Sequence, residues 1–304
     1  MEITGRSFSF GFEAPLIEWL QTHIGGAGMK VISTFSMFGE ELVLILLIGF
    51  IFWCWDKKWG KQIGLNVLMG LIWNAMIKNV FLRRRPYFDH EGIHILRPVE
   101  KKADLYDISA QGFSFPSGHS TNAATAYGSL ARLIGKPWIR WIAALVCLLV
   151  GFSRVAVGAH YPSDVLIGWT LGLAVIFIVP WLCEKIKNQT LLYLTLLVLS
   201  VPGMFYCKST DYFTSMGLLL GFMAGSVFEE KFVRFENTRK PFFMILRVAG
   251  GIAIFMVLST VLKLPFSASF LDSGTYAAMM VRMARYTVIA FVNFGVYPLV
   301  FRWI

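Results

Sequence analysis

Long apolar runs alternate with short polar connectors along the chain of 304 residues. Each run approaches the roughly 20 residues that a helix needs to cross a bilayer. Backbone groups in lipid must be hydrogen-bonded within their own segment, so each run is predicted to be a helix. The pattern therefore predicts an all-α, polytopic membrane helix bundle. About nine spans are predicted, over residues 31–55, 61–82, 117–134, 138–158, 163–183, 190–207, 212–229, 241–263 and 280–301.

Composition agrees with a membrane location. Hydrophobic residues make up 56% of the chain and charged residues 15%, whereas soluble domains average about 25% charged residues. The net charge of +10 would suggest nucleic-acid binding in a soluble protein. Here much of the charge sits in short connectors between apolar runs, which is the pattern of membrane topology. No nucleic-acid partner is therefore expected.

The basic connectors also predict the orientation of the chain. Short connectors rich in Lys and Arg face the cytoplasm, which leaves the N-terminus outside. The long loop over 83–116 is basic as well, although it falls on the outer side, so some of its arginines are expected to have another role. The cytoplasmic connectors are 56–61, 132–140, 184–188 and 229–240.

The cysteines and carboxylates provide no metal-binding pattern. Four cysteines lie in or at the ends of apolar runs without close pairing, so they are predicted to be small buried hydrophobic residues. The polar stretches described next hold no cluster of carboxylates. No metal and no cofactor is expected. The cysteines are Cys54, Cys147, Cys183 and Cys207.

Three short polar stretches interrupt the apolar pattern: KNVFLRRRP at 78–86, FPSGHS at 115–120 and SRVAVGAHYPSD at 153–164. The predicted topology puts all three on the outer side of the membrane. Ionisable residues at membrane depth are costly and usually functional. We therefore expect the three stretches to form one site.

The cations of these stretches suit a phosphate group. Lys78 and Arg85 are seven residues apart and so share a helix face. With Arg154 from another helix they would bind a dianion, because the arginine fork matches phosphate oxygens and lysine adds a point charge. Ser117 and Gly118 would present a hydroxyl and an open backbone amide at a helix start, where anions are favoured.

Two histidines and an aspartate add the means for nucleophilic chemistry. Asp164 follows His160 by four residues and can accept one imidazole N–H, leaving the other ring nitrogen to attack phosphorus. His119, on another helix, would protonate the leaving oxygen and later activate a water molecule. These roles describe phosphate hydrolysis through a phosphohistidine.

The three stretches resemble the tripartite signature of the type 2 phosphatidic acid phosphatase superfamily. All eleven specified positions match in order and spacing: Lys78, Arg85, Pro86, Pro116, Ser117, Gly118, His119, Ser153, Arg154, His160 and Asp164. The resemblance implies a metal-independent membrane phosphatase with His160 as nucleophile, Asp164 as its partner and His119 as acid. The implied phosphate site comprises Lys78, Arg85, Ser117, Gly118, Ser153 and Arg154.

Helical periodicity with mixed polarity over 13–24 predicts an interfacial segment over 1–30. The resemblance implies a phosphatase core of six helices over 31–207, and the apolar runs within 208–304 predict additional transmembrane helices. The layout of about nine spans is similar to the glucose-6-phosphatase branch of the superfamily. Within the C-terminal part, glycines at every fourth position predict close helix packing: Gly217, Gly221 and Gly225.

The predicted function is hydrolysis of a phosphate monoester or diphosphate at the outer membrane face. A site at helix ends lies at headgroup depth, which favours a lipid substrate in a bacterial inner membrane, with the site facing the periplasm or the exterior. Membrane lipids are expected partners, and no oligomeric state is predicted. The alternatives are a sugar-phosphate phosphatase of the glucose-6-phosphatase type, a phosphotransferase with a lipid or sugar acceptor, and an anion transporter. Intact His119, His160 and Asp164 argue against the transporter.

Three charged residues near the signature stay outside the predicted site. Arg83 and Arg84 fit contact with lipid headgroups as well as they fit catalysis. Glu40 is interpreted as an interfacial carboxylate near the rim of the site.

Overall fold

The structure is a computed structural model that describes residues 5–100 and 102–303. Residues 1–4 of the predicted N-terminal segment lie outside this range. Fourteen α-helices form over the described residues. The first seven are α1 (Glu13–His23), α2 (Gly26–Thr34), α3 (Glu41–Phe50), α4 (Lys57–Phe81), α5 (Pro86–Asp89), α6 (Ile108–Gln111) and α7 (Gly118–Ile134). The others are α8 (Pro137–Ala156), α9 (Pro162–Lys185), α10 (Gln189–Ser200), α11 (Thr210–Phe228), α12 (Pro241–Val261), α13 (Ala268–Leu271) and α14 (Tyr276–Phe291).

Tighter or wider turns extend several of these helices. The 3₁₀ turns are Phe35–Gly39, Val201–Phe205 and Tyr297–Arg302. The π turns are Ile51–Trp55, Glu229–Val233 and Val292–Val296.

Local sequence explains where the helices near the polar stretches begin and end. The side chain of Ser117 caps α7, and Gly135 ends α7 in the left-handed region, with φ of 75°. Pro137 and Pro162 begin α8 and α9, where the missing amide of proline costs no helical hydrogen bond. These caps put the polar stretches at helix ends rather than in helix centres.

The all-α membrane bundle is confirmed, but the count of about nine spans is not. Among the described residues, five helices are long and apolar enough to cross a membrane. A sixth span results if Gly26–Gly39 and Glu41–Trp55, which meet at a bend of 49°, are counted together. The five helices are Lys57–Phe81, Pro137–Ala156, Pro162–Lys185, Pro241–Val261 and Tyr276–Arg302.

The chain divides into two compact units. Unit 1 comprises the residues up to Val43 together with Trp73–Phe177, and unit 2 comprises Leu44–Ile72 with the residues from Ile178 onward. The three-segment division predicted from the sequence stays a prediction. All of the predicted site residues lie in unit 1.

In unit 1, one face of α1 packs into an apolar core. Burial of about 25 cal/mol per Å² of apolar surface stabilises such a helix against its neighbours. Glu13 lies on the same buried face and is fully buried. The core cluster consists of Ala14, Ile17, Leu20, Tyr87, Ile93, Val155, Tyr161 and Val165.

In unit 2, the glycine stripe of α11 packs closely against α14, as predicted. A Cβ atom at Gly221 would lie 2.2 Å from the carbonyl oxygen of Thr287, and one at Gly217 would lie 2.3 Å from that of Met283. Only a residue without a side chain allows this approach of two helix backbones.

Candidate active site

Unit 1 brings the predicted site residues to neighbouring helix ends. Most of them are buried, whereas Gly118 and His119 are half-buried. Lys78 lies in the last turn of α4, Arg85 just before α5, Ser117, Gly118 and His119 at the start of α7, Ser153 and Arg154 in the last turn of α8, His160 in the turn before α9, and Asp164 in the first turn of α9. The prediction that Lys78 and Arg85 share one helix face is wrong, because α4 ends at Phe81 and Arg85 has an extended backbone.

The carboxylate of Asp164 is fully buried and accepts hydrogen bonds at both oxygens. Oδ2 accepts a hydrogen bond from the hydroxyl of Ser114 and another, at 2.8 Å, from the backbone amide of Tyr161. Oδ1 accepts a hydrogen bond from Nη1 of Arg83 at 2.6 Å. The backbone carbonyl of Asp164 accepts the amide of Ser117 at 2.9 Å, which joins the start of α9 to the start of α7.

The imidazole of His160 lies between a carboxylate and a cation. Nδ1 is 3.5 Å from Oδ2 of Asp164, and Nε2 is 3.5 Å from Nη1 of Arg85. A guanidinium can only donate, so the lone pair is assigned to Nε2 and the proton to Nδ1, on the side of the carboxylate. Nε2 is therefore the ring nitrogen directed toward the cations.

The surroundings of His160 favour its neutral form. Burial lowers the pKa of His160 well below its usual value, and the charges of Arg85, Arg154 and Lys78 lower it further. The neutral imidazole has the lone pair that a nucleophile needs. Because the charge of Lys78 lowers the pKa of His160, Lys78 belongs to the same charged cluster as Arg85 and Arg154.

Backbone carbonyls hold the guanidinium of Arg85 in place. Nε donates to Gln111 O at 2.9 Å and to Gly112 O at 3.1 Å, and Nη1 donates to Ala159 O at 3.0 Å. These carbonyls come from the loop before α7 and from the turn that carries His160. The contacts therefore fix the plane of the guanidinium relative to the imidazole.

Ser36, which is not a signature residue, supports Arg154. Nη1 of Arg154 donates to the hydroxyl of Ser36 at 3.2 Å. The hydroxyl of Ser36 lies 2.8 Å from that of Ser153, which also donates to Val150 O at 2.7 Å. Ser153 thus holds the partner of an arginine, a contact that the sequence did not predict.

The start of α7 is packed and capped. The hydroxyl of Ser117 accepts the hydroxyl of Ser120 at 2.9 Å and caps the backbone amide of that residue. A Cβ atom at Gly39 would lie 2.8 Å from the carbonyl oxygen of His119. The glycine therefore lets the 3₁₀ turn over Phe35–Gly39 approach the first turn of α7, next to His119.

Asn74 joins α4 to this capped turn. Its side-chain amide donates to Thr121 Oγ1 at 2.9 Å and to Pro116 O at 3.4 Å. Lys78 follows one helical turn later on the same face. The contacts of Asn74 therefore hold the helix that carries Lys78 against the turn that contains Ser117.

Two regions of the chain match known protein families. The PAP2 superfamily matches residues 59–187, and the PAP2 superfamily phosphatase, transmembrane extension, matches residues 213–304. Phosphatidylglycerophosphatase B of Bacillus subtilis (strain 168) is 35% identical over 157 residues, which cover 48% of this chain and 70% of that protein. The chain belongs to the PAP2 superfamily. It is an integral membrane phosphatase.

Other relatives are also named as phosphatases or diphosphatases. Undecaprenyl-diphosphatase of Sulfolobus acidocaldarius is 26% identical, over 59% of this chain and 82% of that protein. Lipid A 1-phosphatase of Rhizobium etli is 31% identical, over 49% of this chain and 55% of that protein. A crystal structure of a PAP2 type phosphatidylglycerolphosphate phosphatase from Bacillus subtilis is 29% identical, covers 58% of this chain and 86% of its own, and has a TM-score of 0.44.

The candidate site of this PAP2 phosphatase includes residues that were not predicted from the sequence. Arg83 is 1% exposed and bonded to Asp164, so it is not available to lipid headgroups in this structure. Arg84 is 34% exposed and pairs with Asp89 at 2.6 Å. The burial of Glu13 could have been predicted, because Glu13 shares the apolar face of α1. No local pattern in the sequence singles out Ser114.

We expect His160→Ala to lower the phosphatase rate by at least about 1000-fold, as loss of a nucleophile does. Binding of orthovanadate should remain measurable, because Lys78, Arg85 and Arg154 stay in place. The measurement is phosphate release together with vanadate titration in detergent. His94→Ala is the matched control, since this histidine is exposed in the loop before α6. Activity of His160→Ala above a few per cent of the parent rate would exclude His160 as the nucleophile.

Proposed function

We propose that this PAP2 phosphatase hydrolyses a phosphate monoester or diphosphate of a membrane lipid through a phosphohistidine on His160. The observation that carries the proposal is the buried imidazole between Asp164 and Arg85. Nδ1 of His160 is 3.5 Å from the carboxylate of Asp164, and Nε2 is 3.5 Å from the guanidinium of Arg85. A ring held in this way has one nitrogen oriented and the other directed at the place where cations would hold phosphate.

The proposed first step transfers the phosphoryl group to the enzyme. Nε2 of His160 forms a bond to phosphorus while the bond from phosphorus to the leaving oxygen breaks. His119 gives its proton to that oxygen. The imidazole ring becomes positive as the bond forms, and the carboxylate of Asp164 stabilises it.

The proposed second step returns the enzyme to its starting state. A water oxygen bonds to phosphorus while the N–P bond breaks, and the proton of that water passes to His119, which now acts as the base. Inorganic phosphate leaves, and His160 is again a neutral imidazole. The route needs two histidines because one forms the covalent bond while the other moves the proton.

In this proposal three cations hold the non-bridging phosphate oxygens through both steps. Lys78, Arg85 and Arg154 act on the pKa of His160, so their charge is felt at the reacting nitrogen. Arginine and lysine stabilise the charge that develops in phosphoryl transfer. We propose that Ser117, Gly118 and Ser153 complete the phosphate site.

Two observations favour a lipid as the substrate. The relatives are named for phosphatidylglycerophosphate, undecaprenyl diphosphate and lipid A, which are all lipids. Unit 1 also exposes large apolar side chains in the segment before α2 and in the loop over 87–113, as proteins do where they contact lipid. These side chains are Phe10, Phe12, Trp19, Leu96, Val99 and Tyr106.

The sugar-phosphate alternative has lost its main support. It rested on a layout of about nine spans, whereas five or six helices of the described chain meet the length and hydropathy of a span. The loop over 87–113 also offers Gln111 as its one side-chain amide, and both ends of that amide bond to backbone groups of the loop. A phosphotransferase would share the first step and differ in its acceptor.

We expect phosphatidic acid or a prenyl diphosphate to be cleaved with at least about tenfold higher kcat/KM than glucose 6-phosphate, a difference of roughly 1.4 kcal/mol. The reason is that apolar contacts hold the lipid tails while the headgroup reaches His160. Release of inorganic phosphate from purified protein measures hydrolysis and distinguishes it from transfer to an alcohol. A short-chain phosphatidic acid is the control for the contribution of the tails. Equal or better turnover of glucose 6-phosphate would contradict the lipid assignment.

We propose further that the enzyme lies in a bacterial inner membrane with this site on the periplasmic or outer side. Support comes from the short basic connectors, which the positive-inside rule assigns to the cytoplasm. Lys58 lies at one of these connectors and Lys102 lies in the loop over 83–116, and both side chains are exposed.

The orientation is tested with single cysteines in a variant that lacks the four native ones. In intact cells, we expect a membrane-impermeant maleimide to label Lys102→Cys. The matched Lys58→Cys should react only after the membrane is permeabilised. Labelling of the second variant alone in intact cells would put the site on the cytoplasmic side.

A further inference from the structure

Arg83 is the most fully enclosed cation next to the proposed catalytic pair. Its side chain is 1% exposed, and each nitrogen of its guanidinium donates a hydrogen bond. Nε donates to Phe8 O at 2.7 Å, Nη1 donates to Asp164 Oδ1 at 2.6 Å and to Ser163 Oγ at 2.7 Å, and Nη2 donates to Glu13 Oε2 at 2.8 Å. Four of its five N–H donors are therefore committed within unit 1.

Two aromatic rings also contact the guanidinium. Its carbon Cζ is 3.9 Å from the centre of the Tyr161 ring and 4.7 Å from that of Phe8. Arginine stacks on rings in this way because its charge is spread over a flat group. Since Tyr161 directly follows His160, Arg83 contacts the turn that presents the imidazole on its C-terminal side.

The partners of Arg83 exclude a role in phosphate binding. Its charge is shared between two carboxylates, those of Glu13 and Asp164, whereas no carboxylate is among the hydrogen-bond partners given above for Arg85, which are backbone carbonyls and Nε2 of His160. A phosphate oxygen would have to displace a buried carboxylate to reach Arg83. The charge of Arg83 therefore acts on Asp164 and not on the substrate.

Arg83 determines which oxygen of Asp164 faces the histidine. It binds Oδ1, so Oδ2 is left to the hydroxyl of Ser114, the amide of Tyr161 and Nδ1 of His160. Rotation of the carboxylate about its axis would break the bond to Arg83. The arginine thus fixes the orientation on which the proposed attack by Nε2 depends.

Glu13 holds Arg83 from a helix outside the part of the chain that matches the PAP2 superfamily. It is fully buried. Oε2 accepts Arg83 and, at 2.9 Å, the amide of Phe10. Oε1 accepts the amide of Ser163 at 2.8 Å, in the first turn of α9. The carboxylate of Glu13 therefore joins three parts of unit 1: the residues just before α1, the side chain of Arg83, and the start of α9.

We infer that Glu13 and Arg83 are positioning residues that orient Asp164 and through it His160. This inference rests on the proposed function, in which His160 attacks phosphorus and Asp164 stabilises the positive ring. The positioning pair acts on the chemical step, so its loss should lower kcat. Binding of phosphate should change little, because the hydrogen bonds of Glu13 and Arg83 go to none of the three phosphate-site cations, Lys78, Arg85 and Arg154.

The first test compares two adjacent arginines. Arg83→Met should lower kcat at least about 100-fold, as loss of an orienting group does. The vanadate Kd should change by less than about threefold. Arg84→Met, which removes the same charge one residue later, should keep kcat within about threefold, because Arg84 pairs with Asp89 away from the site. The vanadate Kd also reports whether the site is still folded.

Two further variants keep the inference testable if Arg83→Met does not fold. Arg83→Lys retains the charge but not the fork that bridges two carboxylates, so its kcat should lie between those of the parent and Arg83→Met. Glu13→Gln should lower kcat about tenfold, and combined with Arg83→Lys it should cost less than the product of the two single losses, as coupled residues do.

The outcomes separate this inference from the function on which it rests. Parent-like kcat in Arg83→Met and Glu13→Gln, with His160→Ala inactive, would overturn the positioning role and leave the proposed function intact. A fall in vanadate affinity as large as the fall in kcat would also overturn the positioning role and leave the proposed function intact, because the pair would then act through the phosphate site or the fold. An active His160→Ala would overturn both.

Discussion

A buried carboxylate, that of Asp164, determines how the catalytic end of unit 1 is arranged. A charge in such a place is tolerated only where hydrogen bonds and an opposite charge replace water. Arg83, Ser114 and the amide of Tyr161 supply these groups from three different segments of the chain. Removing one partner from a buried ion pair typically costs ~3–5 kcal/mol. The end of α4, the loop before α7 and the start of α9 are therefore held in one arrangement, which also orients His160.

Part of the site was predictable from the sequence because its chemistry demands particular residue types at particular spacings. The signature residues were expected to meet at helix ends, and the structure places them there. The contrast between Arg83 and Arg84 was not predictable, since the two have the same charge and adjacent positions. Arg83 is 1% exposed and pairs with Glu13, which is 70 residues away, whereas Arg84 is 34% exposed and pairs with the nearby Asp89. Only the position of Glu13 on the face of Ile17 and Leu20 hinted at its burial.

The helices were predicted better than the number of spans. The predicted apolar runs correspond to helices, because the length of an apolar run and a proline at a helix start are local signals. Crossing a membrane is a stronger requirement on length and polarity. Helix α7 has 17 residues and carries Ser, Thr and Asn side chains, α10 has 12 residues, and α11 begins with polar residues. The polar side chains of α7 pack within unit 1, as the contact of Thr121 with Asn74 illustrates.

The central claim is that His160 carries the phosphoryl group during turnover. The direct measurement is to mix the enzyme with a lipid phosphate, quench the reaction in alkali, which preserves phosphohistidine, and locate the added phosphate in the resulting peptides by mass spectrometry. The account predicts phosphate on the peptide that contains His160, at a level that rises and falls within a single turnover. Phosphate on His119 or on a serine of the site, or hydrolysis with no labelled residue at any time, would contradict it.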